Sequence, residues 1–162
     1  MNRYDVTALA RTLGLASTRR SVMIATAESC TGGGVAEAMT RVPGSSSWFD
    51  RAFVTYTNTA KVEMLGVSRI TLERHGAVSE QVAGEMAEGA LAFSHADLSV
   101  AVTGIAGPGG GTPQKPVGLV YIAWAVRGGE VQMRQFHFSG PRDAVRGQSV
   151  AFSIQGLIDI LA

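Results

Sequence analysis

Apolar residues follow two rhythms along this chain. Val6, Leu9, Ala10, Leu13 and Leu15 recur at roughly helical spacing within residues 5–18, and Val82, Met86, Ala90 and Phe93 do so behind Ser79. Each stripe predicts an amphipathic helix with one buried face. For the second, Ser79 is a preferred capping residue and Glu80 a favourable first-turn acid. A closing helix is predicted from Arg142 to Leu161. Shorter ones run from the glycines at 32–34 to Thr40, over 59–65 up to Gly66, and over 71–75 up to Gly76. The segment from Pro43 to Ser47 reads as a loop. Short apolar runs at Ser21–Ala27, Phe53–Thr57 and Leu98–Val102 read as strands, and Val117–Val126 with Val131–Phe138 as a hairpin about Gly128-Gly129.

Strands separated by helices, ending on a hairpin and a helix, predict an α/β fold. The expected form is a three-layer α/β/α sandwich with a mixed sheet, in a single domain over residues 1–162. Apolar residues make up 46% of the chain and charged residues 17%, the latter below the ~25% usual for soluble domains. That balance implies much buried surface and leads us to expect a homo-oligomer. A formal net charge of +1 argues against nucleic acid or an anionic membrane as partner. The single cysteine, Cys30, excludes an internal disulfide and fits a reducing compartment. No apolar run approaches the ~18 residues of a membrane span, and Met1–Asp5 opens no secretory signal. A soluble cytoplasmic protein is the expectation.

Twenty glycines exceed the ~7% average, and many fall in two clusters after apolar strands. In the first, Glu28-Ser29-Cys30-Thr31 passes into Gly32-Gly33-Gly34 as a helix opens. Such a strand–turn–helix junction exposes a side chain at the sheet edge and aims N–H groups and a helix dipole at it. Ser29 there suits a nucleophile, although for Ser29 or Thr31 capping the helix is the commoner role. Cys30 is a rival nucleophile, without a Cys–His signature. His75, His95 and His137 lie in ordinary contexts, so a serine would need another base. Lys61 falls in the first turn of a helix capped by Asn58 or Thr59, where the dipole lowers an amine pKa; a solvated surface lysine is the plainer alternative. Tyr56 stands at a strand end within reach of such a base, or merely packs across strands.

The second cluster, Thr103-Gly104-Ile105-Ala106-Gly107-Pro108-Gly109-Gly110-Gly111, permits close backbone approach to a ligand. It is neither a Walker A loop nor a dinucleotide fingerprint. Arg142 and Arg146 share a helix face and, with Lys115, form a possible phosphate site or a pair of solvated arginines.

Four stretches in order, Ala27–Gly33, Phe53–Lys61, Gly76–Glu80 and Val102–Pro108 with Lys115–Gly118, resemble the C-terminal domain of the CinA family. The resemblance covers nearly the whole chain, while Pro141 and Pro113-Gln114 depart from the usual family residues. It implies hydrolysis of nicotinamide mononucleotide to nicotinate mononucleotide and ammonia, without metal or cofactor. It further implies Ser29 as nucleophile, Lys61 as base, and Tyr56 and Thr103 in the catalytic set. Glu28, Thr31, Gly32, Gly33, Gly104, Ile105, Ala106, Gly107 and Arg142 would surround the substrate. The residues alone leave two alternatives open: a catalytically silent nucleotide-binding or regulatory module, or an amidase of another substrate.

Overall fold

Alternation along each strand decides which layer a side chain joins. The computed structural model describes residues 4–162; Met1–Arg3, part of the amino terminus read above, lie outside the described residues. Five strands, β1 (Ile24–Glu28), β2 (Phe49–Val54), β3 (Leu98–Gly104), β4 (Leu119–Val126) and β5 (Val131–His137), form one sheet in the order β2-β1-β3-β4-β5. β1 runs parallel to both β2 and β3, whereas β3–β4 and β4–β5 are antiparallel, so the sheet is mixed. Ile24, Val100, Val102, Val120, Ile122 and Trp124 point to one face. There they meet α1 (Val6–Arg20), α2 (Gly34–Thr40) and α6 (Arg142–Leu161).

The intervening positions are small: Ala25, Ala27, Ala101, Ala123 and Ala125 face α5 (Glu80–Ala92), whose own contact residues include Ala83, Ala87 and Ala90. Small residues on both sides let helix and sheet approach closely. α3 (Asn58–Leu65) and α4 (Arg69–His75) complete that layer. The architecture is therefore the expected single-domain α/β/α sandwich, and none of the described helices is long and apolar enough to cross a membrane.

The boundaries correct several expectations. Ser21 is not strand but a left-handed exit residue of α1 (φ 54°), its N–H on the Ser17 and Thr18 carbonyls, so β1 begins only at Ile24. β2 lies earlier than Phe53–Thr57 because a parallel strand needs its neighbour: Ile24 pairs with Phe49 and Glu28 with Val54. Once β1 ends, only the Thr55 N–H still reaches back, to the Glu28 carbonyl at 2.9 Å. Leu15 is 68% exposed, on the opposite side of α1 from Leu13. Phe93 is 53% exposed because α5 has ended before it.

One close approach depends on a missing side chain. A Cβ on Gly89 of α5 would lie 2.1 Å from the Leu65 carbonyl oxygen that ends α3. Gly89→Ala should cost about 2 kcal/mol or more through overpacking against backbone, read as a lower urea midpoint. Gly109→Ala, with nothing within 4 Å of the added carbon, should leave the midpoint nearly unchanged.

Candidate active site

The carboxyl ends of β1 and β3 lie side by side, Glu28 paired with Val102, and both lead into the glycine clusters. Ligand sites of open α/β sheets gather at such strand ends. The Ser29 N–H donates to the Val102 carbonyl at 3.0 Å, carrying the ladder one residue beyond β1. The chain then turns at once: the Gly32 N–H returns to the Ser29 carbonyl at 3.0 Å. Gly32 and Gly33 take φ values of 58° and 97°, a region open to glycine at little cost.

A carboxylate fixes this turn. Alternation sends Glu28 toward α2, where it is wholly buried. It accepts from Thr26 Oγ1 (3.1 Å), Thr31 Oγ1 (2.8 Å), the Val35 N–H (2.8 Å) and the Ala36 N–H (3.0 Å). Residue 33, at the N-cap, has no side chain to offer. Glu28 therefore caps α2, a role considered above for Ser29 or Thr31. Glu28 and the Thr31 hydroxyl, expected around the substrate, turn inward, since their polar atoms already satisfy one another and the helix start. The capping duty thus lifted, the Ser29 hydroxyl is available.

Across from it lies Lys61, 1% exposed and not a solvated surface residue. Thr57, rather than Asn58 or Thr59, caps α3, its hydroxyl accepting the Ala60 N–H at 3.0 Å. Lys61 Nζ lies 3.0 Å from Ser29 Oγ, 3.0 Å from the Thr55 carbonyl and 3.3 Å from the Tyr56 carbonyl. No carboxylate pairs with it among the described residues. Burial lowers its pKa by penalising the ammonium form, a cause that the sequence did not reveal. Burial likewise pushes the Cys30 thiol up to about 11, which leaves it protonated at neutral pH and makes it a poorer nucleophile than a thiolate.

Beside this pair opens a cavity of about 200 Å³ between Cys30, Tyr56, Arg142 and the second glycine cluster, including Gly104, Ile105, Ala106 and Gly107. Arg142 joins its walls, donating to the Gly107 carbonyl at 2.8 Å and the Tyr56 hydroxyl at 2.9 Å. A wider hollow of about 670 Å³ shares Ala106 and Arg142 with it and reaches Pro141 and Arg146. Two expected groupings separate. The Thr103 hydroxyl donates to the Ala77 carbonyl at 2.8 Å, on the α5 side that its strand position dictates, and so ties β3 to the loop before α5. Lys115 donates to the His75 carbonyl at the end of α4 instead of joining the arginines. Arg146 grips the Cys30 and Thr31 carbonyls, a contact with no local sequence signal.

Serine on a capped strand–turn–helix junction, with a buried unpaired lysine at hydrogen-bond distance, is an arrangement for acyl transfer. Comparison with known proteins agrees. The model of the CinA C-terminal domain matches residues 6–161. This chain belongs to the CinA C-terminal domain family. It is 50% identical over 157 residues to the nicotinamide-nucleotide amidohydrolase PncC of Escherichia coli K12, covering 97% of this chain and 95% of that one. The protein of the same name from Pseudomonas putida is 48% identical over 155 residues, with 96% of each covered. Among solved structures, the competence/damage inducible protein CihA of Agrobacterium tumefaciens superposes with a TM-score of 0.95 at 47% identity. That match covers 99% of this chain and 98% of the other. The Glu28–Gly33 stretch is thus one folded unit in which Glu28 braces the turn and leaves the Ser29 hydroxyl to Lys61.

Glu28→Gln should test the brace. It replaces one acceptor oxygen by a donor that faces other donors, and should cost about 2–3 kcal/mol of stability, measured by urea unfolding. A change within experimental error would mean that the carboxylate does not hold the turn.

Proposed function

We propose that this chain hydrolyses the carboxamide of nicotinamide mononucleotide to give nicotinate mononucleotide and ammonia, with Ser29 as nucleophile and Lys61 as base. One observation carries the reading: a buried lysine amine, with only neutral groups as hydrogen-bond partners, stands 3.0 Å from the serine hydroxyl. The PncC name of relatives 50% identical over nearly the full chain supports the substrate.

Burial favours a neutral Lys61 amine, and its partners give that amine a definite orientation. Carbonyl oxygens only accept hydrogen bonds. An uncharged amine has two N–H bonds and one lone pair, so the Thr55 and Tyr56 carbonyls take both hydrogens and the lone pair is left to the Ser29 O–H. Lys61 then removes that proton as Oγ attacks the carboxamide carbon. The ammonium so formed returns the proton to the departing nitrogen, the C–N bond breaks and ammonia leaves. Water attacks the acyl-serine ester, its proton passing through Lys61 to Ser29 Oγ, and the nucleotide departs as a carboxylic acid that ionises at neutral pH.

The substrate contributes as well. Its pyridinium withdraws electrons from the carboxamide, and a second cation near Lys61 disfavours the ammonium form. Arg142, whose present partners are a neutral carbonyl and a phenol, keeps a full charge to offer a phosphate. A cytoplasmic homo-oligomer fits the single thiol and the low charge of the chain.

Ser29→Ala should lower ammonia release from the mononucleotide by roughly 10⁴-fold or more, while calorimetry still records nucleotide binding. Retained turnover would remove Ser29 from the nucleophile role. The pH dependence follows from the direction of the Lys61 shift. The base must be neutral, so kcat/KM should rise with pH and level off above the folded-state pKa. Burial lowers that pKa, which places the midpoint below the ordinary lysine value of 10.5. A flat profile, or a midpoint at or above that value, would take Lys61 out of the base role.

A further inference from the structure

Arg146 lies one turn beyond Arg142 on α6, and no carboxylate pairs with it among the described residues. Its guanidinium is directed to backbone: Nε donates to the Cys30 carbonyl at 3.0 Å and Nη2 to the Thr31 carbonyl at 3.3 Å. These carbonyls belong to the Cys30–Thr31 and Thr31–Gly32 peptide groups, in the turn directly after Ser29. In a planar trans peptide the N–H points away from the carbonyl. A cation held on the carbonyl side of Cys30–Thr31 therefore leaves the Thr31 N–H facing the other way, and polarises it into a stronger donor.

The donors of this turn divide sharply. The N–H groups of residues 29, 32, 34, 35 and 36 are all engaged, on Val102, Ser29, Thr31 and the Glu28 carboxylate, while that of the half-buried Gly33 meets no acceptor among the described residues. Among the described residues the Thr31 N–H has no acceptor, and the Cys30 N–H meets only its own thiol, a weak one. Yet Cys30 and Thr31 are only 6% and 1% exposed. Buried backbone donors are nearly always paired, so two adjacent under-used ones beside a serine call for an acceptor. A tetrahedral intermediate supplies it, as a carbonyl oxygen that becomes negative.

We infer that Arg146 is a positioning residue for acyl transfer: by clamping the Cys30 and Thr31 carbonyls, it fixes the Cys30–Thr31 peptide and holds the Thr31 N–H, with the Cys30 N–H beside it, ready for the oxyanion formed when Ser29 attacks. The inference rests on the amidase reading. Gly32 belongs to the same device, because a Cβ there would come within 3.3 Å of Arg146 Nη2. Two rivals exist on the same surfaces. The Ala106 and Gly107 N–H groups could hold the oxyanion, or Arg146, which also lines the wider hollow, could bind the substrate phosphate.

The test compares wild type, Arg146→Gln and Arg146→Lys in two reactions. One is ammonia release from nicotinamide mononucleotide. The other is acylation of Ser29 by p-nitrophenyl acetate, an ester without a phosphate, followed by intact mass. The clamp predicts that Arg146→Gln loses roughly 10- to 100-fold in kcat, with KM and nicotinate mononucleotide affinity within about threefold. Ester acylation should fall by a similar factor, and Arg146→Lys, which keeps the charge and one donor, should recover part of both. A raised KM with unchanged kcat and unchanged ester acylation would make Arg146 a phosphate contact and overturn the clamp. Unchanged constants in both reactions would overturn it in favour of the glycine-loop donors. If Arg146→Gln does not fold, the lysine variant decides by the same comparison. A wild type that is acylated but releases no ammonia would sink the substrate reading alone, with the ester ratio still deciding the clamp. A wild type that does neither would sink both.

Discussion

The buried carboxylate of Glu28 governs the chemistry-bearing end of this molecule. It collects two hydroxyls and two backbone N–H groups around one point at the end of β1, and so satisfies the start of α2 from within the sheet. Because that cap comes from the strand, the residue after it need not supply one. The turn can be made of glycines, and the Ser29 hydroxyl, uncommitted to the helix, meets Lys61 Nζ. An uncapped α2 would leave the Val35 and Ala36 N–H groups without partners.

Lys61 is the complementary constraint. Holding an amine inside the protein without a carboxylate favours its neutral form, and the Thr55 and Tyr56 carbonyls then orient it toward Ser29. Those two carbonyls are available because β2 stops when β1 stops, leaving residues 55–57 to bend into α3. The base therefore depends on the same strand end as the nucleophile. In the proposed mechanism, neither group calls on a histidine or a metal.

The two faces of the sheet are built differently, and the site inherits the difference. The α5 face is lined by alanines and permits close packing of helix on sheet, which makes a firm base for β1 and β3. The other face carries larger side chains and the three helices that include α2 and α6. α6 brings both arginines to the site from the far end of the chain: Arg142 reaches across to Tyr56 and the glycine loop, and Arg146 reaches the turn after Ser29. One helix start thus serves both the cavity wall and the turn after Ser29.

The sequence by itself determined the order and type of the elements, the two glycine turns and the identity of Ser29 and Lys61 as candidates, because periodicity, glycine and capping residues act over a few neighbours. It misplaced β2, whose extent is set by its partner β1 rather than by the β-branched run Phe53–Thr57. It also put Leu15 and Phe93 in the core, where helix phase and helix ending keep them out. Only the tertiary structure decided the rest. It buried Lys61 beside Ser29, 32 residues away, turned Glu28 and Thr103 inward, detached Lys115 from the arginines and set Arg146 on the backbone of residues 30 and 31. Burial, desolvation and backbone-directed hydrogen bonds depend on which surfaces meet, and no local pattern of residue types encodes those meetings.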